Sequence, residues 1–105
     1  MTTLKLTGYS GKIYTFNVDE IGTELKAVGA VYAVTKRRDN GKHKIIYVGQ
    51  TENLSERFDD HHKQTCFDNN DATCICTHRD EDEDEDSRRY KEADLVERYD
   101  PPCNG

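Results

Sequence analysis

Nothing in the 105 residues approaches the run of ~20 apolar side chains that a membrane span requires, and no internal repeat is visible. The amino end, Met1 to Leu6, lacks the basic, apolar and small-residue order of a secretory leader. A cytosolic (cytoplasmic) protein with no membrane partner is therefore expected. Without an export signal, the four cysteines (Cys66, Cys74, Cys76 and Cys103) are expected as reduced thiols rather than as a disulfide framework. The chain is long enough for one compact domain with a modest core.

A basic surplus is also missing. The net charge is −6, which at first sight argues against a nucleic-acid partner. Its distribution changes that reading. Residues 80–86 are an unbroken run of seven acidic side chains, and without them 15 basic side chains face 14 acidic ones. Lys36, Arg37, Arg38, Lys42 and Lys44 form a basic cluster in that remainder. Composition thus permits nucleic-acid binding without demanding it.

Alternation of apolar and polar residues predicts two short strands over residues 3–7 and 12–18, around the turn-like Gly8-Tyr9-Ser10-Gly11. A connector follows to residue 28. Two further strands are predicted over residues 29–37 and 43–49, joined through Asp39-Asn40-Gly41, because Asn-Gly tolerates positive φ at a hairpin turn. A helix should run from Asn53 to Lys63, with Asn53 and Glu56 spaced as in a capping box. Residues 73–78 read as a strand and the acidic run as a solvated loop. A last helix should begin at Ser87 and stop before Pro101-Pro102. The expected fold is a small α/β (α+β) domain: a mixed or antiparallel sheet flanked by helices. Residues 1–28 form an N-terminal strand pair and connector, and residues 29–105 carry the rest.

Two charges fall where a core should be. On the first helix, Arg57 lies within the stripe of Leu54, Phe58 and His61. On the last, Glu92 shares a face with Leu95, Val96 and Tyr99. A charge on a buried stripe costs several kcal/mol unless it is paired or metal-bound. Either residue alone reads as a snorkelling edge charge. Both together, in a domain this small, point to a cleft with chemistry in it.

Taken in order, these features resemble the GIY-YIG nuclease family. Its two tripeptides correspond to Ala30-Val31-Tyr32 and Tyr47-Val48-Gly49 on adjacent strands. Arg57 falls ten residues after Tyr47 and His61 four after Arg57. Glu92-Ala93-Asp94-Leu95-Val96, then Pro101 and Asn104, match the family's last block. The departures are Ala30 for the first glycine (Gly29 precedes it), a long gap between the tyrosines, and Gln50 where several members carry a basic residue.

The resemblance implies a metal-dependent endonuclease that hydrolyses phosphodiester bonds, with DNA as partner and RNA not excluded. Glu92 would be the single protein ligand to Mg²⁺ or Mn²⁺, suited to an ion that keeps most of its waters. Arg57 would contact the scissile phosphate. Tyr32 or Tyr47 would take the proton of the attacking water, and which one does so stays open. His61 would assist proton transfer. Gly49, Gln50, Lys36, Arg37, Arg38 and Asn104 complete the expected substrate contacts. Specificity would come from the hairpin tip, from residues 1–28 or from a protein partner.

The plainer readings stand beside these. Tyr32 and Tyr47 could serve cross-strand packing, and Asn104 the end of the helix. A structural Zn²⁺ held by Cys74, Cys76 and His78 with Cys66, His62 or Cys103 is weighed against small buried thiols packing a thin core, which is preferred. The alternative to an enzyme is a catalytically inactive nucleic-acid or protein interaction module on the same fold.

Overall fold

The computed structural model describes residues 2–57, 63–79 and 84–104, without the side chain of Arg57. Five strands and three helices follow in the order β1 (Thr2–Thr7), β2 (Ile13–Glu20), β3 (Ala30–Arg37), β4 (His43–Thr51), α1 (Leu54–Arg57), α2 (Gln64–Asn69), β5 (Cys74–His78) and α3 (Glu85–Tyr99). The fold is α+β, as the sequence pattern predicts.

Two hairpins build most of the sheet. In β1–β2, Gly8 donates to the Lys12 carbonyl and Gly11 takes φ +90°. In β3–β4, Arg38 donates to the Lys42 carbonyl, Gly41 takes φ +81°, and the Asn40 side chain accepts from Lys42 N–H. Strand β5 joins them: it pairs antiparallel with β2 on one side and β3 on the other, giving the order β1-β2-β5-β3-β4. Strands β1 and β2 are thus part of one continuous sheet with the β3–β4 hairpin. Thr7 N–H donates to the Tyr99 hydroxyl at one edge and Arg88 donates to Gln50 at the other, so the sheet curls about α3.

Side-chain alternation divides the core. On the α3 face lie Leu6, Phe16, Val31, Ala33, Val48, Cys76 and Leu95; on the other lie Ala30, Tyr32, Val34, Tyr47, Leu54, Phe67 and Cys103. Pairing passes from Val34–Tyr47 to Thr35–Ile45, leaving Ile46 as an extra residue in β4. Its carbonyl accepts from Cys103 N–H at 3.0 Å. Among the described residues, no helix is long and apolar enough to cross a membrane.

Several local expectations are corrected. The helix predicted over residues 53–63 is described as far as Arg57, and its continuation through Phe58 and His61 lies outside the described residues. Asn53 caps it by accepting from Ser55 N–H and hydroxyl, but its own N–H goes to Thr51 Oγ1, so no reciprocal capping box forms with Glu56. Helix α2 has no counterpart in the pattern of the sequence; Asn70 closes it by donating to the Cys66 carbonyl. Helix α3 begins before Ser87, because Asp84 is the cap and Ser87 N–H its donor. It ends at Asp100, left-handed at φ 43°, before Pro101.

The thiol expectation fails at one pair. Cys66 and Cys103 form a disulfide across 37 positions of sequence. Spacing along the chain does not place them near each other, whereas the fold brings α2 and the segment after α3 together on the tyrosine face. Cys74 and Cys76 are free and buried, as packing thiols.

Candidate active site

The hairpin β3–β4 sets the two tyrosines side by side. Tyr32 lies opposite Gly49 and Tyr47 opposite Val34, so both rings project from one face, two residues apart across the ladder. Their ring centres are 5.9 Å apart at an interplanar angle of 35°. Gly49 has the reason for its identity in this pair. A Cβ there would stand 2.5 Å from Tyr32 Cζ and hydroxyl oxygen and 2.9 Å from Tyr47 Cε2. Phe67 of α2 also packs on Tyr47, with ring centres 5.5 Å apart. Tyr32 is 0% exposed and Tyr47 8%.

Gln50 points to the opposite face, where its side-chain oxygen accepts from Arg88 Nε at 3.1 Å. The Arg88 guanidinium is buried and lies against Gly29, at which a Cβ would come within 2.9 Å of Nη1. Thus Gly29, one residue before Ala30, leaves the space that Arg88 fills. Glu92 follows one turn later on α3 and is half-buried. The tyrosines and the Glu92 helix therefore approach β3–β4 from opposite faces, and β4 is an edge strand. Groups from the two faces can meet only around that edge or the end near Gln50 and Thr51. A cleft of about 460 Å³ opens at that end, lined by Gln50, Thr51, Glu52, Asn53, Glu56 and Glu85.

Asn104 closes the edge of β4 further along. Its side-chain oxygen accepts from Val48 N–H at 2.9 Å and its nitrogen donates to the Val48 carbonyl at 2.8 Å. One amide side chain replaces a neighbouring strand there, so Asn104 is placed as an edge clasp. Arg57 ends α1 directly after this strand, but its side chain and all of His61 lie outside the described residues.

The basic cluster sits at the far end of the same hairpin. Lys36, Arg37, Arg38 and Lys44 line a cleft of about 530 Å³ with Asp39 and residues 69–71 at the end of α2. His43, opposite Arg37, is held below its ordinary pKa by burial and then by the Arg37 charge.

Sequence reasoning missed Asp94. Its buried carboxylate accepts from Ser10 N–H at 2.8 Å, the Ser10 hydroxyl at 2.7 Å and the Tyr14 hydroxyl at 2.8 Å. Burial alone would raise its pKa, but the Ser10 and Tyr14 hydrogen bonds outweigh it and hold the carboxyl below the usual range. Tyr14 is pushed up in turn, first by burial and then by its bond to Asp94. This is a latch between α3 and the β1–β2 turn. Arg88 was missed too, although extending the Glu92–Leu95–Tyr99 stripe one turn upstream reaches it.

No family model, curated protein or solved structure matches the chain.

The cysteines have little left for a metal. Cys66 and Cys103 hold each other, and burial pushes the Cys76 thiol up to about 11, away from the thiolate that zinc would bind. No group of three or more His, Cys, Asp or Glu side chains placed to hold an ion occurs among the described residues. A single carboxylate such as Glu92 is a different donor set. It suits a divalent ion that supplies most of its own coordination as water.

Proposed function

We propose that the chain is a metal-dependent endonuclease of the GIY-YIG type, acting on the phosphodiester bonds of DNA. The observation that carries this reading is the packing of Tyr32 and Tyr47 over Gly49, where the two rings leave no room for any side chain. An ordinary strand pair does not need a glycine between two tyrosines. The order of Arg57, Glu92 and Asn104 along the chain supports the same reading.

In this proposal Glu92 would hold Mg²⁺ or Mn²⁺, which would supply positive charge at the phosphate and acidify a bound water. Tyr32 or Tyr47 accepts the proton of the attacking water. Arg57 places two parallel donors on the phosphate as negative charge builds there. Arg88 would fix the end of β4 through Gln50. Asn104 would hold that strand straight at Val48.

A cytosolic workplace belongs to the same proposal. Cytosolic dithiols would then reduce Cys66–Cys103, so both redox forms belong in the assay. The test is nicking of supercoiled plasmid and branched DNA with Mg²⁺ or Mn²⁺. Wild type should cut, while Glu92→Gln and Arg57→Ala should fall by about a hundredfold or more. Equal residual cutting by all three proteins would defeat the reading.

One observation favours a second reading, an inactive nucleic-acid or protein interaction module. The Tyr32 hydroxyl lies against Gly49 inside the core, with no solvent-exposed surface on the residue. That module would bind DNA with no metal-dependent nicking at all.

A further inference from the structure

The tip of β3–β4 carries a cost that the fold alone does not explain. Lys36 and Lys44 are directly opposed across the ladder, and Arg37 opposes His43. Like charges placed directly opposite one another destabilise a strand pair. Asp71 lies 3.7 Å from Lys36 and is largely exposed, as Lys36 is in part. An exposed pair of that kind recovers little. Around these side chains lies the cleft of about 530 Å³, in whose lining Lys36, Arg37, Arg38 and Lys44 outnumber the two carboxylates, Asp39 and Asp71.

The register fixes where the cleft lies relative to the tyrosines. Tyr32, Val34 and Lys36 alternate onto one face of β3, and Val34 is opposite Tyr47. At ~3.4 Å per residue, Lys36 is about 7 Å beyond Val34 and Arg38 about 14 Å. One nucleic-acid strand presents a phosphate every ~3.4 Å along a helix axis, so this span is about two to four nucleotides.

We propose that the cleft at the β3–β4 tip, built on the opposed Lys36 and Lys44, is a binding subsite for the phosphodiester backbone of a nucleic acid, about two to four nucleotides from the tyrosine pair. The placement relative to a cut rests on the endonuclease reading; the binding does not. Backbone phosphates between the two lysines relieve their repulsion, so the charge opposition is a cost in the free protein and a gain in the complex. Arg37 and Arg38 extend the positive wall along the same strand. The recognition is of charge and spacing and carries no sequence preference.

The experiment measures binding without cleavage. A fluorescent 16-nucleotide DNA, single-stranded and as duplex, is titrated by anisotropy in EDTA at about 50 mM salt and upward. Lys44→Glu should weaken binding about tenfold or more and lower the slope of log affinity against log salt by about one or two. The same variant should melt about 2 °C higher than wild type, because Glu faces Lys36 across the ladder. Lys5→Glu makes the same charge change at an exposed position of β1, the opposite edge strand. It should bind within twofold of wild type.

Absence of binding by wild type, equal binding by Lys44→Glu, or an equal loss in Lys5→Glu overturns the subsite. A lower melting temperature in Lys44→Glu gives the residue a structural role and overturns it too. Heparin competing while DNA does not bind would assign the cleft to another polyanion and overturn it as well. Failure of plasmid nicking with these binding results intact removes the endonuclease reading and leaves the subsite standing. Nicking with unchanged Lys44→Glu binding does the reverse.

Discussion

Gly49 and Asp94 show how much one side chain can decide here. Gly49→Ala forces a methyl into space held by both tyrosine rings, an overpacking that costs about 1–3 kcal/mol. Denaturant midpoints should report that loss, and a near-ultraviolet spectrum should show the tyrosine pair disturbed. Asp94→Ala leaves the Ser10 and Tyr14 donors without their acceptor and should cost about 3 kcal/mol. The latch also sets pH behaviour at both ends. Asp94 is lowered from 3.8, so its contribution is complete above that pH and is lost as pH falls through the lower folded value. Tyr14 is raised from 10.0, so its contribution is complete below pH 10 and is lost as pH climbs beyond it. Tyr14→Phe should flatten the alkaline limb of stability relative to wild type and leave most of the acid limb. Urea titrations across pH compare the two.

At the scale of elements, the disulfide joins α2 to the segment behind α3 and so clamps both against the tyrosine face. A loop of 37 residues closed by one bond contributes about 3–4 kcal/mol in the chain-entropy model. Cys66→Ser should lower the melting temperature of the oxidised protein accordingly, and dithiothreitol should reproduce the loss in wild type. Calorimetry with and without reductant checks it. These elements were unequally legible. The β3–β4 hairpin could be read from Asn40-Gly41 and the strands from their alternation, because both signals are local. The partners of β5 could not, since antiparallel pairing with β2 and β3 is settled by packing between residues 54–60 positions apart for β2 and 39–47 for β3. Nor could the disulfide, because spacing in sequence does not state a distance in space. The candidate site divides in the same way. Tyr32, Tyr47 and Gly49 meet as their strand spacing implies, whereas Arg88 and Asp94 depend on where α3 crosses the sheet. Asn104 was marked by its spacing, yet its bond to Val48 depends on the turn after Asp100.

Across the whole molecule the charge is divided: a basic hairpin tip, and an acidic segment entering α3. Residues 80–83 lie outside the described residues, while Asp84 caps the helix and Glu85 pairs with Arg89. Replacing residues 80–83 with Gly and Ser removes four negative charges and spares that cap. Affinity for DNA should rise severalfold at low ionic strength and the gain should vanish in high salt, as long-range repulsion does. Anisotropy at two salt concentrations measures it, and an unchanged affinity at low salt would show that the run does not repel DNA from the tip. The sheet order has a separate consequence, for the way the chain assembles. Each hairpin can zip by itself, but each then carries a bare inner edge, β2 on one and β3 on the other. Residues 74–78 are synthesised long after both and must slot between them. Until they arrive, two half-sheets coexist whose open edges suit another copy as well as their own keystone strand. Refolding yield should therefore fall steeply with protein concentration, and a peptide carrying residues 74–78 added early should compete for the gap.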